Sequence, residues 1–240
     1  SRENLEGSIE LYKNTDTSGL QFFSPTDPLV ECLTTLPLVL YALGETELAE
    51  QRAKELLDQA RAIKRPFELA QAQAFRWVYE TFREDHEAAL ACAEETLAIC
   101  EANGYLNYRT VAVISRGVSI GRLGQTEAGL ALYQSGLKEM TRMGILRALG
   151  LFIGEAAVVL HAVGRDDEAL AAIDDAIERA GRSFKIVLPR LHLRRADILA
   201  ALPNPDRVAV RKARDAALSE AKRQGALTFQ REAAAALKPA

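Results

Sequence analysis

Gly117-Val118-Ser119-Ile120-Gly121 sets a serine between two glycines in the GxSxG spacing of a nucleophile elbow. That spacing serves catalysis only on a strand-to-helix turn that thrusts the hydroxyl out beside an oxyanion hole. The flanking residues carry helical periodicity and no β alternation, so Ser119 is expected inside a helix and the match is expected to be coincidental. The three histidines, His86, His161 and His192, are scattered, whereas metal or acid–base work needs converging groups. His86 is expected at a solvated turn, and His161 and His192 near a groove. The runs Asp166-Asp167-Glu168 and Asp174-Asp175 lack the alternating ligands and central glycine of a calcium loop. They read as helix-dipole and surface charge. Cys32, Cys92 and Cys100 show no CxxC spacing and suit buried thiols in a reducing compartment, which points to the cytoplasm. With no GxxxxGK[ST], GxGxxG or HExxH motif, the chain is expected not to be an enzyme and to use no cofactor or metal.

Another set of residues suits recognition. Trp77, Tyr79 and Tyr108 offer aromatic faces, and Arg109 and Arg116 offer planar forks for carboxylates or phosphates. Subtracting a forty-residue period brings Glu155 beside Arg116, and Arg195, with Arg194 adjacent, falls one period after Glu155. This predicts an Arg116–Glu155–Arg195 ladder across successive helices. The ladder either fixes the register of a stack, at a net stability near zero, or forms a polar site for an anionic or sugar-like ligand. Together with His161, these nine residues are the candidate groove.

The elements that must position them follow from a repeat. Small residues recur at Ala49, Ala89, Gly129, Ala169 and Ala209; a turn precedes each at Gly44, Glu84, Gly124, Gly164 and Asn204. Apolar residues follow at Leu57, Leu97, Leu137, Ile177 and Ala217, so three offsets share one forty-residue register. Each unit reads as a helix hairpin whose small residue lets the two helices approach. Asp27-Pro28 supplies an N-cap and first helical residue. Second helices are expected to close near Gly104, Gly144, Gly181 and Gly225. Leu38, Val78, Val118, Val158 and Ile198 form an apolar row on the first helices, either a seam between them or the floor of a groove.

These patterns predict an all-α, right-handed α-solenoid of about five hairpins. A leading helix and loop occupies 1–26, and the repeat array 27–226, with units near 27–64, 65–104, 105–144, 145–182 and 185–226. A capping helix covers 227–240. Composition agrees: 48% hydrophobic, 26% charged and only 6% aromatic residues favour long helices. No stretch approaches the roughly 20 apolar residues of a membrane span. The net charge of −3 argues against direct nucleic-acid binding, although residues 182–240 hold 13 Lys/Arg against 5 Asp/Glu and read as solvated surface or a dock for an acidic partner. The N-terminus lacks Met and opens on a polar helix, which points to a segment of a longer protein.

Gly164-Arg-Asp-Asp-Glu-Ala169-Leu170 resembles the tetratricopeptide (TPR) signature, although the period of forty exceeds the usual 34 and implies longer helices. Residues 115–144, 154–181 and 191–226 look like the C-terminal helical arrays of bacterial adenylate/guanylate cyclase regulators and of ATPase-coupled, maltose-activator-like transcriptional regulators. The resemblance implies a regulatory segment that binds a protein or peptide partner or domains of its own parent protein. A small-molecule sensor controlling an attached cyclase, ATPase or DNA-binding domain is the alternative, and a homodimer stays open.

Overall fold

Straight-chain residues and alanine lose little side-chain freedom in a helix, and this chain is rich in both. The computed structural model describes residues 2–15, 26–145 and 148–238; most of the expected leading loop, residues 16–25, lies outside them. Among the described residues the chain forms twelve α-helices: α1 (Arg2–Lys13), α2 (Pro28–Ala42), α3 (Thr46–Ile63), α4 (Pro66–Arg83), α5 (His86–Asn103), α6 (Leu106–Arg122), α7 (Thr126–Arg142), α8 (Leu149–Ala162), α9 (Asp166–Ser183), α10 (Leu188–Ala201), α11 (Arg207–Gln224) and α12 (Leu227–Ala236). The fold is an all-α solenoid of paired helices. No described helix is long and apolar enough to cross a membrane.

Capping chemistry sets the boundaries. Asp27 Oδ1 accepts from the backbone N–H of Leu29 at 3.0 Å and of Val30 at 3.2 Å, with Pro28 as the first helical residue. Three hairpin turns use Gly44, Gly124 and Gly164 at φ of +88°, +95° and +75°. At the α4–α5 turn Glu84 adopts φ +60° despite its Cβ. Gly181 does not close α9 as expected: the helix runs on to Ser183 and encloses it.

Burial repeats with the turns. Four of the second helices bury matching sets forty residues apart: Ala49, Ala53, Leu56 and Ala60 in α3; Ala89, Ala93, Thr96 and Cys100 in α5; Gly129, Tyr133, Gly136 and Met140 in α7; Ala169, Ile173, Ala176 and Ala180 in α9. The fifth departs. α11 buries Val210, Ala213, Ala217 and Ala221, and Ala209 is only half-buried, so the expected small-residue position moves by one. The connection at 202–206 is longer than the one at 43–45, and the lengthening is absorbed before Asp206 caps α11 through Val208 and Ala209.

The chain gathers into two compact units, Ser1–Ala112 and Val113–Ala240, with the boundary inside α6. In the first, α1 packs on α2, and Tyr12 donates its hydroxyl hydrogen to Asp27 Oδ2 at 2.6 Å. Leu33, Leu36, Trp77 and Phe82 fill its core. In the second, Phe152, Ile173, Leu191 and Phe229 are buried, and α6 meets α7 through glycines. A Cβ at Gly129 would lie 2.6 Å from the Gly117 carbonyl oxygen and 2.6 Å from Gly121 Cα. The two glycines of the GxSxG spacing are therefore helix-packing residues, and Ser119 lies inside α6, only 1% exposed.

Candidate functional site

A first helix with neighbours on several sides must bury most of its circumference. α2, α3 and α5 all pack on α4, which buries twelve of its 18 residues. Unexpectedly, many of these are polar: Glu68 at 1% exposure, Gln71 at 4%, Gln73 at 2% and Glu80 at 1%. Burial of such groups is costly unless each finds a partner. Glu68 pairs with Arg65. Gln71 donates through Nε2 to Glu31 Oε2 at 2.7 Å, and Gln73 donates likewise to Glu95 on α5. Arg76 reaches Glu80 along its own helix and both oxygens of Glu50 on α3, at 3.0 and 3.1 Å. Arg83 donates to Glu80 at 2.7 Å. Desolvation raises the Glu80 pKa against the pull of the two guanidinium groups.

Tyr79 lies beneath this network. The Arg76 and Arg83 guanidinium carbons stand 5.1 and 5.7 Å from its ring centroid, and Tyr41 meets it edge-on at 6.1 Å. Nearer solvent, Phe67 holds Tyr105 and Tyr108 in edge contacts at 5.5 and 5.4 Å. The Tyr108 phenol is pushed upward by burial and then by the Glu31 carboxylate. Gln71 and Glu31 thus join α4 to α2, and Phe67 with Tyr108 joins α4 to the start of α6.

In the second unit, Glu155 of α8 is 2% exposed and receives Arg122 at 3.1 Å and Arg194 at 3.9 Å. Arg195 instead reaches Asp174 of α9 at 2.6 Å. The expected Arg116–Glu155–Arg195 ladder is corrected to Arg122–Glu155–Arg194. One step along a helix turns a side chain by about 100°, so repeat position alone leaves the facing arginine undetermined, and Arg122 reaches Glu155 from the last turn of α6. Arg116 is half-buried.

The remaining expected groove residues divide. Trp77 and Tyr79 are core residues at 0% and 2% exposure, so neither is available to an open groove. Arg109 is exposed, 3.9 Å from Glu101. His161 Nδ1 is 2.6 Å from Asp166 Oδ1 and clasps the α8–α9 turn. His86 is half-buried, 3.5 Å from Glu84 rather than freely solvated. Leu38, Val78, Val118 and Ile198 are buried and Val158 half-buried, as befits a packing row. Sequence reasoning missed Glu31, Gln71, Arg76 and Glu80. For the first two the signal was present: they stand one period apart.

Neither a protein-family model nor a curated protein matches the sequence. Solved structures do. BtubC (BKLC) from P. vanneervenii is similar over 100% of this chain and 92% of its own, at 17% identity and a TM-score of 0.55. Bacillus thuringiensis PlcR, solved in complex with the peptide PapR7 and DNA, is similar over 96% of this chain and 79% of its own, at 14% identity and a TM-score of 0.68. A signal transduction ATPase with numerous domains (STAND) and a tetratricopeptide repeat sensor, from Pyrococcus horikoshii, is similar over 97% of this chain and 38% of its own, at 18% identity and a TM-score of 0.51. With hairpins that repeat at forty residues and these likenesses, the chain has the fold of tetratricopeptide-like helical repeats.

Proposed function

We infer that this chain is a non-catalytic regulatory and interaction module of a larger bacterial signalling protein, with residues 27–226 as a five-hairpin array that binds a protein or peptide partner through its first helices. The observation that carries this reading is the distribution of polar groups. Second helices bury small and apolar side chains along one stripe and leave their charges solvated, for example Arg179 with Asp175 and Arg165 with Glu168. α4, by contrast, gathers buried Glu and Gln together with half-buried Arg76, tied to Glu31 on α2, Glu50 on α3 and Glu95 on α5. Polar groups fixed in advance by packing suit recognition, since little side-chain freedom is lost on binding.

Similar folds support the same class of role: PlcR was solved with a bound peptide, and the repeat of the archaeal ATPase is named a sensor. The sensor likeness also favours a second reading, in which a small molecule biases the array between two shapes and so controls an attached domain. The test is a peptide selection from a random phage library against the purified chain, read by hydrogen exchange. Partner binding predicts protection concentrated in α2, α4, α6, α8 and α10. Protection confined to the second helices, or failure to capture any peptide, would remove this reading.

A further inference from the structure

α3 ends on a lysine in the left-handed region: Lys64 has φ +58°. That conformation costs a residue with a Cβ and is free to glycine. Gly104, Gly144 and Gly225 take the same place after α5, α7 and α11, at φ of +72°, +71° and +67°. The dipole of α3 favours a cation near its end, and Arg61 already supplies one. A strained backbone kept at Lys64 therefore points to a use for its side chain.

Lys64 stands at a cleft of about 500 Å³ between the end of α3, the start of α4 and the end of α5. Half-buried Leu69 and Ile99 give it apolar surface, and Arg61, Lys64 and Arg65 line it beside them. Among the described residues no carboxylate lines it. Arg65 pairs with buried Glu68, but Arg61 and Lys64 are exposed and form no ion pair among the described residues. The surrounding unit has the opposite sign: Ser1–Ala112 holds 10 Lys/Arg against 19 Asp/Glu, a balance of −9. Most residues lining the cleft are exposed, so it is shallow and suits a side chain on a passing polypeptide better than an enclosed small molecule.

We propose that this cleft docks an acidic segment of a partner protein, one that presents an apolar side chain flanked by carboxylates. The apolar side chain lies on Leu69 and Ile99, and the carboxylates accept hydrogen bonds from Arg61 and Lys64. The cleft is built largely from the ends of two second helices and so goes beyond the first-helix reading; either surface can fail without the other.

The full chain is titrated by NMR with a capped pentapeptide carrying one leucine between two pairs of glutamates. The expected result is a saturable shift of the Lys64, Ala98 and Ala102 backbone amides, lost when the glutamates are replaced by glutamine. The overall field of the unit repels such a peptide, so saturable binding reports the local cations. Serine in place of the leucine weakens binding at least fivefold. Lys64→Gly suits the left-handed turn, so it raises the melting temperature while weakening binding at least fivefold. A more stable variant that binds less cannot owe its loss to misfolding. Lys54→Gln, which removes an exposed cation further back on α3, changes binding less than twofold. Equal binding of the serine peptide, or equal weakening by Lys64→Gly and Lys54→Gln, would overturn the cleft in favour of charge attraction alone. Octanoate binding tighter than the peptide would overturn the protein partner in favour of a small amphipathic acid. Absence of any saturable shift sinks the proposal outright and leaves the first-helix reading to its own peptide selection.

Discussion

α4 and α8 are equivalent first helices, of the second and fourth hairpins, and both are buried around most of their circumference. Their interiors differ. α8 buries Leu149, Leu151, Phe152, Ile153 and Leu160 with Glu155 as its buried carboxylate, whereas α4 buries Glu68, Gln71, Gln73 and Glu80 beside Trp77 and Phe82. Position in the array therefore dictates how deeply a first helix is enclosed, and the side chains decide what the enclosure is for. An apolar lining supplies stability from burial alone. A polar lining is stable only while every member keeps its partner, which makes α4 the place where a single substitution does most harm and where a binding event has most to act upon.

That contrast can be broken experimentally. Glu80→Leu should cost about 4 kcal/mol in urea unfolding, because it leaves Arg76 largely buried with Glu50 as its remaining carboxylate. Replacing Arg76 by Met in the same chain should recover most of that loss, since the uncompensated cation goes too. Glu155→Leu in α8 should cost about 3 kcal/mol, somewhat less because Glu155 holds one arginine closely, Arg122 at 3.1 Å, and the other only at 3.9 Å, whereas Glu80 hydrogen-bonds two. Equal costs in the two helices would erase the distinction between them.

Smaller effects sharpen it. Gln71→Leu should leave stability within about 1 kcal/mol of the parent: it loses one hydrogen bond but removes an acceptor that has none. A loss several times larger in thermal melts would mean that the amide is structural. The smallest effect is expected in α10, where burial lowers the His192 pKa, opposed by Glu220. The unfolded chain then binds the extra proton more readily, so stability should fall as pH drops through about 6.5, the unfolded value. His192→Asn should flatten the melting temperature between pH 7.5 and 5.

Much of this architecture is legible in spacing. Ala49, Ala89, Gly129 and Ala169 reveal the second helices because a close helix crossing tolerates only small side chains, and that constraint recurs with every hairpin. Ala209 misleads because loop length lies outside the periodic pattern, and the α10–α11 connection is the longer one. Trp77 and Tyr79 suit a groove by residue type, yet aromatic type says nothing of how many neighbours a helix has; with α2, α3 and α5 around it, α4 has little open face. The ion pairs are least legible. Arginine side chains reach across a helical turn, so repeat arithmetic can bring Glu155 near arginines without choosing Arg122 and Arg194 over Arg116 and Arg195.

The longer connection at 202–206 has a practical corollary. Pro203, Asn204 and Pro205 are exposed, and the downstream helix is re-anchored by its own Asp206 cap, so the polypeptide there already tolerates a change of length without disturbing α11. A fluorophore-bearing tag or small reporter spliced between Pro203 and Pro205 should be carried as cargo, giving a handle by which ligand capture elsewhere in the chain can be watched.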